Sequence, residues 1–178
     1  MRKKPNNQKT VIAYWLVPAK PERELFSALI RILAGQMRGP RFEPHVTIFS
    51  TPLDQGSPKK VLARIKSARL PLGVRGIGTS ADYRKTMFIR LSPGKSLERL
   101  TAQLRRETKS SGKTSGDLHL SLLYKNLPPS TRRGLAASVK LPFSQIVFDC
   151  IKAVRCSSPT RNRSHVKAWR VLAKKSLR

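Results

Sequence analysis

Two halves of this chain carry the same features in the same order. In the first half an apolar run, Val11-Ile-Ala-Tyr-Trp-Leu-Val17, is closed by Pro18, and a helical pattern through Leu25, Leu29 and Leu33 leads to His45-Val-Thr-Ile-Phe49. In the second, Met87-Phe-Ile-Arg-Leu91 is closed by Pro93, and a helical pattern through Leu97, Leu100 and Leu104 leads to His119-Leu-Ser-Leu-Leu-Tyr124. The prolines lie 75 residues apart and the histidines 74 apart. A leucine follows each histidine eight positions on, at Leu53 and Leu127, and each half ends with a basic helical segment and a Leu-Pro pair, Leu70-Pro71 and Leu141-Pro142, that opens another strand. The unit is strand, helix, strand, helix, strand, occurring twice. Its period is too long for a solenoid and fits duplication of a whole lobe. The fold expected is α+β and bilobal, with one histidine strand on each side of a pseudo-twofold cleft.

The chemistry follows from strand geometry. Successive side chains of a strand alternate faces, so His45 and Thr47 point one way and Val46 and Ile48 the other. His119 and Ser121 stand in the same relation. Brought to one cleft, two imidazoles and two hydroxyls suit a phosphate ester: one imidazole takes a proton, the other gives one, and the hydroxyls hold non-bridging oxygens. The rival reading is two half-buried strand histidines with no chemistry. The third histidine, His165, lacks the following hydroxyl and is expected at the surface.

The double pattern His-apolar-[Thr/Ser]-apolar, with its spacing of about 75 residues in a chain this short, resembles the two-histidine phosphoesterase superfamily. The local matches are most similar to the cyclic phosphodiesterase family known from plants: Gly39-Pro-Arg-Phe-Glu-Pro-His-Val-Thr-Ile48 resembles its first motif and His119-Leu-Ser-Leu-Leu-Tyr124 its second, with Trp15-Leu-Val-Pro18 and Trp169 alongside. The resemblance spans roughly residues 11 to 173. It implies two antiparallel sheets facing a central cleft, and metal-free hydrolysis of ADP-ribose 1″,2″-cyclic phosphate or nucleoside 2′,3′-cyclic phosphates. It also places a tyrosine, Tyr124, near the site. In a regular strand Tyr124 would lie on the face opposite His119, so that role needs a bulge or bend. The chain departs from the family where Leu118, following Gly116-Asp117, stands in place of a proline before His119, and the loop from Ser110 to Gly116 is unusually small and polar.

Composition bounds the rest. A chain of 178 residues is one domain with a real core. Residues 1–10 read as a disordered basic tail ahead of a single domain over 11–178. Lys and Arg number 37 against 9 Asp and Glu, a formal charge of +28, which draws polyanions at long range. The nine acids are scattered and none pair at metal-ligand spacing, so no metal and no cofactor are expected. No apolar run suits a signal peptide or a membrane span, and a cytoplasmic monomer is expected. Cys150 and Cys156 read as reduced thiols.

Gly76-Ile-Gly-Thr-Ser-Ala81 matches a dinucleotide fingerprint but leads into another strand, not a helix, and Gly112-Lys-Thr114 lacks the earlier glycine of a phosphate loop, so both fail. Arg41 is either a phosphate contact or a solvated loop charge. Trp15 and Phe42 are either base-stacking platforms or core. Expected elements include helices over 58–69 and 95–109, strands over 72–83, 84–91, 143–153 and 166–173, and an irregular loop from Ser110. Three functions compete: a small-molecule cyclic phosphodiesterase; an RNA-end enzyme that hydrolyses terminal 2′,3′-cyclic phosphates or joins 2′-5′ linkages; and a non-catalytic basic RNA-binding module.

Overall fold

The duplicated unit is visible in the computed structural model, which describes residues 9–53, 56–114 and 116–178. The elements are β1 (Lys9–Pro18), α1 (Glu22–Gln36), β2 (Val46–Pro52), α2 (Pro58–Arg64), β3 (Leu70–Thr79), β4 (Met87–Ser92), α3 (Lys95–Thr108), β5 (Lys113–Thr114), β6 (His119–Leu123), α4 (Pro129–Ser138), β7 (Gln145–Ser158), α5 (Arg163–Lys167) and β8 (Arg170–Ser176). A 3-10 turn at Tyr83–Lys85 joins the halves. The first unit is β1-α1-β2-α2-β3 and the second β4-α3-β6-α4-β7, with β5 inserted before β6.

All strand pairs are antiparallel, in the order β5-β2-β1-β7-β3-β4-β6, with β8 also on β7. The units exchange their third strands: β7 pairs with β1, and β3 with β4. The long strand β7 belongs to both lobes, since Gln145 to Phe148 pair with β3 and Phe148 to Ser158 with β1. The two lobes are therefore halves of one curled antiparallel sheet.

Helix α1 turns Phe26, Ile30 and Leu33, and α3 turns Leu97, Leu100 and Leu104, against Val46, Ile48, Leu120 and Leu122 on one face of that sheet. This spacing at three and four residues is the apolar stripe of a helix lying on a core. The apolar members of the two histidine strands thus anchor them from behind, and the polar members are left for the other face.

Both histidine strands carry a bulge at the same repeat position. Tyr14 pairs with Phe49 but Trp15 with Thr47, which makes Ile48 the extra residue; Met87 pairs with Leu123 but Phe88 with Ser121, which makes Leu122 extra. An extra residue reverses the facing of everything beyond it.

Several boundaries differ from the sequence expectation. Strand β1 begins at Lys9, where Lys9 and Thr10 pair with Ser158 and Ser157; the rest of the expected tail lies outside the described residues. Helix α2 stops at Arg64 because the Lys175 ammonium donates to the Ala63 and Ile65 carbonyls at 2.8 and 2.7 Å while Ile65 turns into the core. Arg84 and Lys85 lie in the turn and not in a strand, since the Asp82 carboxylate accepts the Arg84 backbone N–H at 2.9 Å. The strand expected over 166–173 is divided into α5 and β8, because the Asn162 side chain accepts the His165 N–H at 2.9 Å and caps a short helix.

Candidate active site

The geometry begins at the two imidazoles. Nδ1 of His45 is 2.7 Å from the carbonyl of Glu43, and Nδ1 of His119 is 2.6 Å from the carbonyl of Asp117. A carbonyl oxygen only accepts, so Nδ1 carries a proton in both rings and each Nε2 is the nitrogen left to take a proton or, in the imidazolium form, to give one. Each ring is oriented by the residue two before it, which the extended entry to each strand brings within reach. Both histidines line one cleft of about 380 Å³.

The bulges decide what else reaches that cleft. Past the extra residue, Ser50 in β2 and Tyr124 beyond β6 turn to the same side as the histidines, and both line the cleft. Tyr124 is buried and stacks on Phe42, with centroids 4.2 Å apart. Burial pushes its phenol pKa well up. Thr47 lines the cleft, whereas Ser121 lies beneath its floor: the Ser121 hydroxyl donates to the Arg84 carbonyl at 2.6 Å and meets the Tyr124 phenol.

Aromatic rings set the environment of each imidazole. Trp15 stacks on His45 with centroids 3.7 Å apart and planes 16° apart, and Phe88 stands edge-on to His119 at 5.4 Å. Trp169 closes over the same group, 4.9 Å from Trp15 and 5.6 Å from His45, and its indole N–H is buried with no acceptor among the described residues. Desolvation is the main reason that the His45 pKa falls to about 4; the Glu43 carbonyl opposes it, and the charges of His119 and Lys152 add to the fall. His119 is also lowered, first by burial, with the Asp117 carbonyl and carboxylate acting to raise it.

Three cations that sequence reading passed over stand at the cleft: Arg84, Lys85 and Lys113. Arg84 is held by Asp82, Nε to Oδ1 at 3.1 Å and Nη2 to Oδ2 at 2.7 Å, and Lys85 pairs with Asp117. Asp82 before Tyr-Arg-Lys is a turn signal of the Asx kind, which would have located the first two. Lys113 arrives on β5, a two-residue strand that crosses to pair with Phe49 and Ser50 of the other lobe. The approach is close: a Cβ on Gly112 would stand 2.5 Å from the Ser50 carbonyl oxygen. Arg41 does not line this cleft; it faces a separate groove. Phe42 sits behind Tyr124 and not at the surface of the cleft. His165 is absorbed in the cap of α5. Cys150 and Cys156 are free thiols, and Cys156, raised to about 11 by burial, lines the cleft.

Among the described residues no three side chains of His, Cys, Asp or Glu come together as a metal-binding group, and no helix is long and apolar enough to cross a membrane. No curated protein matches the sequence. In fold the chain is similar to Escherichia coli LigT in its apo form, at 15% identity over 97% of this chain and 99% of that one, with a TM-score of 0.54. It is likewise similar to a solved phosphoesterase, at 16% identity over 95% and 98%, TM-score 0.56, and to E. coli LigT complexed with ATP, at 14% over 96% and 99%, TM-score 0.53. The family model described as cyclic phosphodiesterase-like protein matches residues 10–177, nearly the whole chain and both histidine motifs. The chain belongs to the cyclic phosphodiesterase-like family, a branch of the two-histidine phosphoesterases.

Proposed function

We propose that this protein hydrolyses a cyclic phosphodiester, a nucleoside 2′,3′-cyclic phosphate or ADP-ribose 1″,2″-cyclic phosphate, by metal-independent acid–base catalysis. The observation that carries the reading is the matched tautomer: both imidazoles give Nδ1–H to the carbonyl two residues back, which leaves both Nε2 atoms available in one cleft. His45, deeply buried and neutral, takes a proton from water through Nε2 as the water oxygen forms its bond to phosphorus. The bond from phosphorus to the leaving sugar oxygen breaks, and His119, less enclosed and beside Asp117, gives that oxygen its proton. The product is a phosphomonoester, and solvent restores both rings. Thr47 and the Tyr124 phenol, which Ser121 orients from beneath the floor, hold non-bridging oxygens, while Arg84 and Lys85 offset the charge that builds on them. Trp15 and Trp169 flank the leaving sugar and its base. Solved complexes of E. coli LigT with 3′-AMP and with NADP+ support a nucleotide phosphate as ligand of this fold.

A second reading, an RNA-end hydrolase or a 2′-5′ joining enzyme, is favoured by the charge of +28. A panel of 2′,3′-cyclic AMP, ADP-ribose cyclic phosphate and an RNA oligomer with a cyclic end, with product regiochemistry read out, separates the two. Each general acid or base contributes ~10²–10⁴ in rate. Either His45→Ala or His119→Ala should therefore abolish turnover with the fold intact, and chelators should change nothing. Turnover retained by both variants overturns the proposal, and binding of RNA without turnover of any substrate leaves a basic RNA-binding module.

A further inference from the structure

Arg41, set aside by the cleft, belongs to a groove of about 590 Å³ between the end of α1 and α5. Four cations line it, Arg38, Arg41, Arg163 and Lys167, and no acid does. None of the four pairs with a carboxylate among the described residues. With 37 Lys and Arg against 9 acids most cations of the chain go unpaired, and what sets these four apart is that they converge on one groove, whereas at the cleft Arg84 and Lys85 are held by Asp82 and Asp117. Arg163 is aimed by its bond to the Gly39 carbonyl at 2.7 Å, and its charge is felt at the Tyr83 phenol.

Chain neighbours of the groove residues carry an aromatic cluster across to the cleft. Phe42, the neighbour of Arg41, stacks on Tyr124, and Tyr124 lines the cleft. Trp169, two residues beyond Lys167, lines the cleft from the α5 side and stands 6.4 Å from Phe42. Tyr83 packs on Tyr124 at 5.9 Å. Tyr124 is buried with Phe42 behind it, so half-buried Trp169 is the ring that offers a stacking face between the phosphate-chemistry cleft and the acid-free cationic groove. That sequence of features, stacking surface and then uncompensated cations, is how proteins follow a single-stranded nucleic acid.

Resting on the reading above, we propose that the α1–α5 groove is a second phosphate subsite, and that the substrate is a single-stranded RNA ending in a 2′,3′-cyclic phosphate. The cyclic end occupies the histidine cleft, a base stacks on Trp169, and a backbone phosphate of an upstream nucleotide sits among Arg38, Arg41, Arg163 and Lys167. A cyclic mononucleotide has no second phosphate and uses the cleft alone. ADP-ribose cyclic phosphate also carries further phosphates, so it is the competing source of the same chemistry.

The test is the double variant Arg38→Gln/Lys167→Gln, whose side chains make no hydrogen bond or ion pair among the described residues. Turnover of 2′,3′-cyclic AMP, ADP-ribose cyclic phosphate and an RNA trinucleotide with a cyclic end is compared with the parent protein. Binding of a fluorescent trinucleotide ending in a 3′-phosphate is followed by anisotropy against salt. The expected result is a loss of about tenfold in kcat/KM for the RNA alone and a salt slope shallower by about 0.7, the value for one phosphate contact on a single strand. Equal losses on all three substrates, or none, overturn the proposal, and so does a loss on ADP-ribose cyclic phosphate without one on RNA. If the parent turns over none of the three, the hydrolytic reading fails by itself. The anisotropy slope then still decides the groove: an unchanged slope rejects it.

Discussion

The His45 imidazole lies flat against the Trp15 indole, 3.7 Å between centroids, so the ring is shut from water on one face while the Glu43 carbonyl holds its edge. Burial and stacking together keep it neutral. Trp15→Ala should admit water, let the His45 pKa rise from about 4 toward its ordinary value, and move the acid limb of kcat/KM to higher pH. Trp15→Phe should keep the limb in place. Loss of activity in Trp15→Ala with an unshifted limb would show that the indole serves the substrate only.

The pH–rate profile itself should be a bell on the acid side of neutrality. The base must be deprotonated, which sets a rising limb near 4 from His45, and the acid must be protonated, which sets a falling limb below the ordinary imidazole range, as His119 is also lowered. Measurement of kcat/KM on 2′,3′-cyclic AMP from pH 3.5 to about 8 checks it. A profile that rises through pH 7 contradicts the assignment.

Stability carries the same signature. The folded pKa of His45 is below its unfolded value, so the unfolded chain binds more protons between about 6.5 and about 4, and stability falls as pH is lowered through that window. The loss is on the order of 3 kcal/mol if the whole shift is expressed. Urea unfolding at pH 7 and pH 4 should show a smaller difference for His45→Gln than for the parent protein.

The crossing of β5 depends on one glycine. A methyl group at Gly112 would meet the Ser50 carbonyl and the Phe49 ring, which stands 2.6 Å from the ideal Cβ position. Gly112→Ala should detach Lys113 from β2, raise KM for an anionic substrate several-fold and leave kcat near the parent value. An unchanged KM would show that Lys113 takes no part in binding.

Gly78 lies across from Phe88, whose ring would be 2.7 Å from an added Cβ. Gly78→Ala should push Phe88 toward His119 and lower kcat, with the effect visible as a displaced His119 ring signal in NMR. A variant with full kcat and an unshifted His119 signal would show that the ring has room to move elsewhere.

The order of elements and the two histidine strands were legible in the sequence, because burial on one face and polarity on the other write a period of two into a strand and a recurring three-and-four stripe into a helix. His45, Thr47 and His119 came to one cleft for that reason. The exchange of third strands was not legible, since a strand such as Gln145 to Ser158 does not say which neighbour it will pair with. Nor were the bulges: one extra residue, Ile48 or Leu122, is indistinguishable from its neighbours until hydrogen-bond register is counted. That single step turns Tyr124 into the cleft and, with the Asp82 turn that brings Arg84 and Lys85 there, completes the site. Local periodicity comes from each residue's own affinity for water and is written along the chain, whereas register and strand order are settled only when distant segments compete for the same backbone partners.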